Sequence, residues 1–131
     1  MILRKLFFTL CLSVSFVGNS QAETPCETHG YESLECARYL AEQGLAESQF
    51  LLGFKYANGE GVLRDDREAA RWYRMAAEQG HVVAQYNLGI MSANGEGVLR
   101  DDREAARWYR MAAEQGLKEA QYELGFIYAN G

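Results

Sequence analysis

The sequence predicts an all-α solenoid built from stacked helical hairpins, and three observations carry this prediction. Residues 57–80 and 93–116 are identical in sequence and lie 36 residues apart. Within each copy, apolar residues recur at i, i+3, i+4 and i+7, the spacing of an amphipathic helix. Glycine-rich turns return at the same interval. A fixed period of roughly 20–50 residues indicates helical units that bury their apolar faces against their neighbours.

The first 22 residues have the pattern of a secretory signal peptide. Arg4 and Lys5 form a basic segment, residues 6–17 form an apolar run, and residues 20–22 are compatible with cleavage. The apolar run is shorter than the roughly 20 residues that a bilayer-spanning helix needs. We therefore expect cleavage after Ala22, an exported chain that is periplasmic or secreted, and no membrane insertion after cleavage.

The charge of the chain bears on its partners. Cleavage would remove Arg4 and Lys5 but no acidic residue, so the loss of two positive charges would change the formal net charge from −5 to −7. An acidic chain argues against nucleic acid and anionic lipid as partners. We therefore expect no nucleic-acid binding.

The chain contains three cysteines, of which Cys11 lies in the predicted signal peptide. Cys26 and Cys36 would remain as an even pair in an exported chain. That context favours a disulfide over a metal site or a catalytic thiol. The alternative is two free thiols in a reducing compartment.

The elements of the mature chain begin with a polar stretch. Residues 23–31 contain a proline and a glycine, and we expect an irregular N-terminal arm there. Helical periodicity then runs from residue 32 to Gln43, and Gly44 follows as a C-terminal stop signal. The pattern predicts a first helix over residues 32–43.

A second helix is predicted over residues 46–57, with Gly53 inside its apolar stripe. A glycine in the middle of a helix costs up to about 1 kcal/mol relative to alanine. The same glycine recurs in register as Gly89 and Gly125, so chance does not explain it. We expect another backbone or an aromatic ring to approach the helix closely at these positions.

A turn over residues 58–61 ends this helix, because its two glycines supply positive φ angles. Asp65 begins the next helix, with Glu68 three residues later in the pattern of a capping box. Trp72 and Tyr73 lie on the apolar face of this helix and recur in the second copy. We expect these aromatic side chains to pack in the core; an exposed aromatic platform is the alternative.

Helices of two kinds alternate along the chain, and we term those like 46–57 A helices and those like 66–79 B helices. The prediction is six helices in three antiparallel hairpins: 32–43 with 46–57, 66–79 with 82–93, and 102–115 with 118–129. The solenoid spans residues 32–131, as a half repeat 32–44, full repeats 45–80 and 81–116, and a partial repeat 117–131.

The repeated pattern reads A-x-x-Q-x-x-L-G, then Y-A-N-G-x-G-V, then D-x-x-x-A-x-x-W-Y-x-x-A-A-E-Q-G, and it resembles the Sel-one-like repeat family. The second unit departs from it at Val82, where the pattern has alanine, and at Ser92, where the other units have tyrosine. The remaining matched positions of that unit are Gln85, Leu88, Gly89, Gly95, Gly97, Val98, Asp101, Ala105, Trp108, Tyr109, Ala112, Ala113 and Gly116.

The resemblance implies a fold and a kind of function. Members of the family are similar to tetratricopeptide repeats, with αα hairpins in a right-handed superhelix, and usually serve as adaptors or scaffolds. This implies a protein or peptide partner, no catalytic activity and no cofactor. An exported branch with a cysteine pair in each repeat has been linked to penicillin binding or hydrolysis. An exported enzyme acting on β-lactam or cell-wall compounds is therefore the alternative, although these repeats contain no cysteine.

Side chains that could carry chemistry are few. His29 and His81 lie far apart in the sequence, and we expect both to be solvated. No G-x-S-x-G motif or helical histidine pair is present. The acidic residues near Asn94 lack the spacing of an EF-hand calcium loop. We therefore predict no catalytic residue, no metal site and no cofactor.

The candidate binding surface follows from a comparison of the repeats. The two full B helices are identical, whereas the A helices differ. In a tetratricopeptide-like superhelix the A helices line the concave surface, so the positions that differ are the candidate partner contacts. These candidates are Leu51, Asn87 and Glu123 at one position of the repeat, and Lys55, Met91 and Ile127 at another. The alternative is that these positions vary because they touch only solvent.

The last predicted helix keeps an apolar face that no later B helix in the sequence would cover. Leu124, Phe126, Ile127 and Tyr128 contribute to it. Solenoids usually end in a polar capping element. We expect this surface to self-associate or to dock on a partner.

Overall fold

The computed structural model describes residues 23–130, and within that range all regular secondary structure is helical. The predicted signal peptide, residues 1–22, lies outside the described residues. The helices are α1 (Pro25–His29), α2 (Leu34–Glu42), α3 (Ala46–Asn58), α4 (Asp66–Glu78), α5 (Val82–Asn94), α6 (Asp102–Glu114) and α7 (Lys118–Asn130). The six predicted helices correspond to α2–α7, with bounds that agree within two residues.

The short helix α1 corrects the prediction of an irregular arm over residues 23–31. The backbone N–H of Thr24 donates to Glu27 Oε2 at 2.8 Å, and Pro25 occupies the first turn. A helix of five residues is not stable by itself in water. A disulfide between Cys26 and Cys36, as predicted, joins α1 to α2 and holds this helix against the first hairpin.

Each helix packs against the one before it and the one after it in the chain, as expected for stacked hairpins. The turns within hairpins, such as residues 79–81 between α4 and α5, are three residues long, so the paired helices run antiparallel. Gly80 in this turn has a φ of 93°, a conformation that residues with a Cβ atom rarely adopt. The buried apolar side chains form three clusters that follow one another along the stack, each shared by consecutive helices.

The aromatic residues of the B helices pack inward, and the prediction of a core role is confirmed. Trp72 and Trp108 are only 5% and 1% exposed. Tyr73 and Tyr109 explain the recurring glycines of the A helices. A Cβ atom on Gly53 would lie 2.8 Å from Cδ1 of Tyr73, and the tyrosine of the next repeat approaches its glycine equally closely. The predicted close approach of an aromatic ring is thus confirmed at both internal junctions.

Buried glutamines connect one repeat to the next. Gln49 Nε2 donates to the carbonyl of Ala41 at 3.2 Å, and Gln79 Nε2 donates to Gln49 Oε1 at 2.7 Å. The arrangement recurs one repeat later with Gln85 and Gln115. Because buried amide groups are costly unless they are hydrogen-bonded, this ladder favours a single register between repeats.

Candidate functional site

The six candidate contact residues lie on the A helices α3, α5 and α7, as the sequence predicts. Five of them are half-buried: Leu51, Lys55, Asn87, Glu123 and Ile127. A side chain in this state has one part in contact with neighbouring residues and another part exposed to solvent.

Met91 differs from the expectation of an adaptable surface contact. It is 6% exposed and packs in the core with Tyr73, Leu88 and Trp108. Its thioether chain is apolar and burial favours it, whereas the equivalent Lys55 keeps its ammonium group in water. Only the outer edge of Met91 reaches the surface of the A helices.

Two clefts open between successive A helices, at equivalent places in the two repeats. The first cleft lies between α3 and α5 and has a volume of about 340 Å³. The second cleft lies between α5 and α7 and has a volume of about 620 Å³. Both are open to solvent, as surface grooves are. Asn87 and Met91 line the first cleft and Glu123 and Ile127 the second, while Leu51 and Lys55 lie outside both.

Five positions, which we term the frame, are identical in the two clefts because they belong to the exact repeat. They come from the end of an A helix, the following turn and the B helix. In the first cleft the frame is Ala57, Asn58, Arg64, Asp66 and Tyr73. In the second cleft it is Ala93, Asn94, Arg100, Asp102 and Tyr109.

The charges of the frame are paired within it. Arg64 Nε donates to Asp66 Oδ1 at 3.0 Å, and this hydrogen bond raises the pKa of the Arg64 guanidinium. The equivalent Arg100 and Asp102 approach within 3.5 Å. Exposed pairs of this kind contribute little to stability, and the pairing leaves the frame without net charge.

The frame tyrosines are neutral phenols. Burial raises the pKa of Tyr73, while a hydrogen bond with Asn87 acts in the opposite direction. Burial also raises the pKa of Tyr109, and the nearby charge of Glu123 raises it further. Each tyrosine hydroxyl is therefore uncharged, and each lies beside the position that is Asn87 in the first cleft and Glu123 in the second.

Four equivalent positions, all on the A helices, differ between the clefts, and each cleft also has one lining residue without a counterpart in the other, Glu96 in the first and Asn130 in the second. In the order first cleft then second cleft, the pairs are Phe54 and Ile90, Asn87 and Glu123, Ile90 and Phe126, and Met91 and Ile127. Sequence reasoning missed the position of Phe54, Ile90 and Phe126. The signal was present, since these residues also differ between A helices in register. It also missed Arg64 and Asp66, because the identical turns gave no reason to separate them from turn chemistry.

His81 has a structural role, which corrects the expectation that it is solvated. Its side chain is 14% exposed and its ring stacks on Phe50 with centroids 4.6 Å apart. Nδ1 accepts from the backbone N–H of Ala84 at 3.2 Å, which caps α5, and Nε2 contacts Glu47 Oε2 at 2.9 Å. His81 therefore connects α3 to α5 through its ring stacking and its hydrogen bonds.

Two further observations concern other kinds of site. In the part of the chain from 23 to 130, no group of three or more His, Cys, Asp and Glu side chains could hold a metal ion. No helix in that same part is long and apolar enough to cross a membrane.

The fold and the paired clefts define a class of protein: a helical-hairpin repeat protein with a repeated surface groove. The family model described as "Sel1 repeat" matches residues 46–81, 82–117 and 118–131, more than half of the chain. The chain belongs to the Sel1 repeat family, whose members are typically non-enzymatic scaffolds that bind other proteins. No curated protein sequence matches the chain.

Solved structures show the same fold. A protective antigen of uropathogenic Escherichia coli strains with an SLR fold is 43% identical with a TM-score of 0.72, over 76% of this chain and 21% of that one. A Sel1 repeat protein from Oxalobacter formigenes is 38% identical with a TM-score of 0.72, over 76% of this chain and 41% of that one. Helicobacter pylori cysteine rich protein B is 27% identical with a TM-score of 0.63, over 85% of this chain and 79% of that one. The chain spans less than half the length of the first two proteins.

Proposed function

We propose that this protein is an exported scaffold that binds a protein or peptide segment through the concave surface formed by its A helices. The observation that carries the proposal is the pair of equivalent clefts, in which a constant frame surrounds walls that differ. A constant frame holds successive stretches of a partner in the same way. Walls that differ let each repeat select a different side chain.

Export is supported by two features of the chain. Residues 1–22 have the signal-peptide pattern. The disulfide between Cys26 and Cys36 is of a kind that persists in oxidising compartments such as the periplasm or the extracellular space. We expect the exported protein to begin at Glu23, which N-terminal sequencing would check; recovery of exported protein that still begins at Met1 would contradict this.

The experiment on binding uses crosslinking and capture of exported proteins with the purified mature chain as bait. Phe54→Ser changes a side chain in the first cleft that is 38% exposed, and Met75→Ser changes one on α4, outside both clefts, that is 37% exposed. The two substitutions remove similar exposed apolar surface, so they form a matched pair.

Capture that is lost with Phe54→Ser and kept with Met75→Ser is the expected result, provided that circular dichroism shows both variants folded. Equal capture by both variants would place binding elsewhere on the protein. A nitrocefin hydrolysis assay on the same preparation tests the enzymatic alternative. Saturable hydrolysis that is lost on mutation of a cleft would favour that alternative.

We also propose that α7 mediates self-association. Tyr122, Phe126 and Tyr128 are 73%, 58% and 59% exposed, and a Cβ atom on Gly125 would meet nothing within 4 Å. At the internal junctions the equivalent glycine receives a tyrosine ring, and among residues 23–130 no ring lies against Gly125. Sedimentation at tens of micromolar should show a dimer that Tyr122→Ser weakens. A strict monomer at that concentration would contradict the proposal.

A further inference from the structure

We propose that the two clefts recognise two different side chains of one extended peptide, an uncharged apolar side chain in the first cleft and a lysine or arginine side chain in the second. The inference rests on the proposed function, because it names the chemistry of the segment that the A-helix surface binds. Its starting point is that, at one equivalent wall position of two clefts with the same frame, the first cleft has Asn87 and the second has Glu123.

The wall of the first cleft is neutral. Arg64 is paired with Asp66 through two hydrogen bonds of 3.0 and 3.2 Å. The remaining charged group, Glu96, is exposed in a turn at the mouth of the cleft, where its charge acts on Arg64. On the wall, the amide of Asn87 and the hydroxyl of Tyr73 are both uncharged, and Asn87 acts on the pKa of Tyr73. The wall position that is equivalent to Glu123 is therefore uncharged in this cleft, and the carboxylate of Glu96 lies in an exposed turn.

The wall of the second cleft carries a carboxylate that pairs with no basic side chain among residues 23–130. Glu123 is half-buried on α7, and no ion pair of residues 23–130 includes it. The arginine of this cleft, Arg100, is paired with Asp102 at 3.5 Å. A carboxylate in a partly desolvated cleft attracts a cation more strongly than one in bulk water. The second cleft therefore favours a positively charged group.

The surroundings of Glu123 fit a long basic side chain in particular. Ile90, Phe126 and Ile127 supply apolar surface in the same cleft. Lysine and arginine pack their methylene stems on apolar surface while the charged head reaches a polar group.

The adjacency of the clefts limits the spacing in the peptide. Ile90 lines both clefts, so they are adjacent along the surface. A peptide in the extended polyproline II conformation advances about 3.1 Å per residue and returns to the same side every third residue. An apolar and a basic residue three positions apart, about 9 Å, would therefore face the same surface. A basic segment also complements the net charge of −5 of the chain.

The test compares two capped synthetic heptapeptides, GSLSTKG and GSLSTQG, which differ only in the charged side chain. Each is titrated into the isotopically labelled exported protein, and amide shifts are followed by NMR. We expect both peptides to shift residues around the clefts and the lysine peptide to bind about three- to fivefold more tightly, the scale of an exposed to half-buried ion pair. Glu123→Gln should abolish this preference, and Glu114→Gln, the same change on the outer side of α6, should leave it intact.

A gain-of-function variant tests the same inference in the first cleft. Asn87→Glu copies into the first cleft the residue that the second cleft already holds, and it should improve binding of the dilysine peptide GSKSTKG by a similar factor. Equal affinities for GSLSTKG and GSLSTQG, or a preference that survives Glu123→Gln, would overturn the inference. So would the absence of cleft shifts with any of these peptides at several millimolar. The capture experiment with Phe54→Ser judges the proposed function separately, because it does not depend on which side chain enters each cleft.

Discussion

The two complete B helices have the same sequence and make different contacts. Helices α4 and α6 share thirteen identical residues. Both have an aspartate N-cap, and in both an arginine lies 4.4 Å from the centre of the following tryptophan ring. Contacts that depend on neighbours within one helix are thus reproduced in the second copy.

The contacts of one glutamate are not reproduced. Glu104 on α6 accepts hydrogen bonds from Arg107, from Trp108 Nε1 at 2.8 Å and from Arg74 of the preceding repeat at 3.1 Å. These donors, with Arg107 the largest contribution, lower the pKa of Glu104 to about 2. On α4, the equivalent tryptophan, Trp72, has a buried Nε1 without a hydrogen-bond partner among residues 23–130.

The difference originates on the A helices. Arg38 and Arg110, the equivalents of Arg74, donate to the hydroxyls of Tyr56 and Tyr128. The residue equivalent to these tyrosines on α5 is a serine, whose buried hydroxyl donates to a backbone carbonyl of its own helix. Because Ser92 occupies the tyrosine position on α5, Arg74 has no tyrosine hydroxyl to bind and donates to Glu104 instead. One residue on a neighbouring helix therefore changes the network around an identical sequence.

The largest expected effect tests whether the two tryptophans are equivalent. Trp108→Ala should lower the free energy of unfolding by about 3–5 kcal/mol, as a large-to-small change in a packed core. Trp72→Ala should cost about 1 kcal/mol less, because this side chain has no hydrogen bond to lose. Chemical denaturation followed by circular dichroism measures both values. Equal losses would show that the hydrogen bond to Glu104 contributes nothing, and an unchanged midpoint for Trp108→Ala would show that it is exposed.

A second prediction extends the comparison to α2, where Cys36 stands in the register position of Trp72 and Trp108. Loss of the disulfide through Cys26→Ala should lower the free energy of unfolding by about 2–3 kcal/mol, the scale for a loop of about ten residues. Peptide mapping without reductant should recover the fragments of Cys26 and Cys36 cross-linked. Two alkylatable thiols in the native exported protein would contradict the prediction. As a control, reductant should destabilise the parent and leave Cys26→Ala unchanged.

A third prediction concerns acid. The pKa of Glu104 lies below its ordinary value of 4.5 in the folded state, so its contribution to stability is present above pH 4.5 and is lost as the pH falls towards 2. We discount that contribution to about 1–2 kcal/mol because the side chain is partly exposed to solvent. Glu104→Gln should therefore lower stability at pH 7 and flatten its dependence on pH between about 5 and 2. Glu68→Gln is the matched control, and an equal effect at both sites would contradict the comparison.

The smallest expected effect comes from giving the first repeat the arginine–glutamate contact that the next repeat already has. Tyr56→Ser should release Arg38 to bind Glu68, as Arg74 binds Glu104. A double-mutant cycle of Tyr56→Ser with Glu68→Gln should then show a coupling of about 0.5–1 kcal/mol. The cycle of Tyr56→Ser with Glu104→Gln should show none. Additive free energies in the first cycle would mean that the tyrosine does not decide where the arginine binds.

Much of the fold was predictable because it depends on local periodicity and on repetition. The 36-residue interval, the six main helices and the inward Trp72 and Trp108 all follow from apolar spacing along single helices. The recurrence of Gly53 in register also predicted a close approach, because a glycine in the middle of a helix is destabilising unless a neighbouring group needs the space. The positions where A helices differ were also visible in the sequence, which located four of the residues that line the clefts.

The tertiary structure decided which groups meet across the repeats. Helix α1 depends on a disulfide to α2, the burial of Met91 on the space beside Tyr73, and the capping role of His81 on its stacking against α3. Arg74 has the same sequence neighbours on its own helix as Arg110, yet it binds a different partner. Spacing along the chain determines the face on which a side chain lies, because that depends only on helical geometry. The partner that the side chain finds depends on the neighbouring helices, and these are brought together only when the hairpins stack.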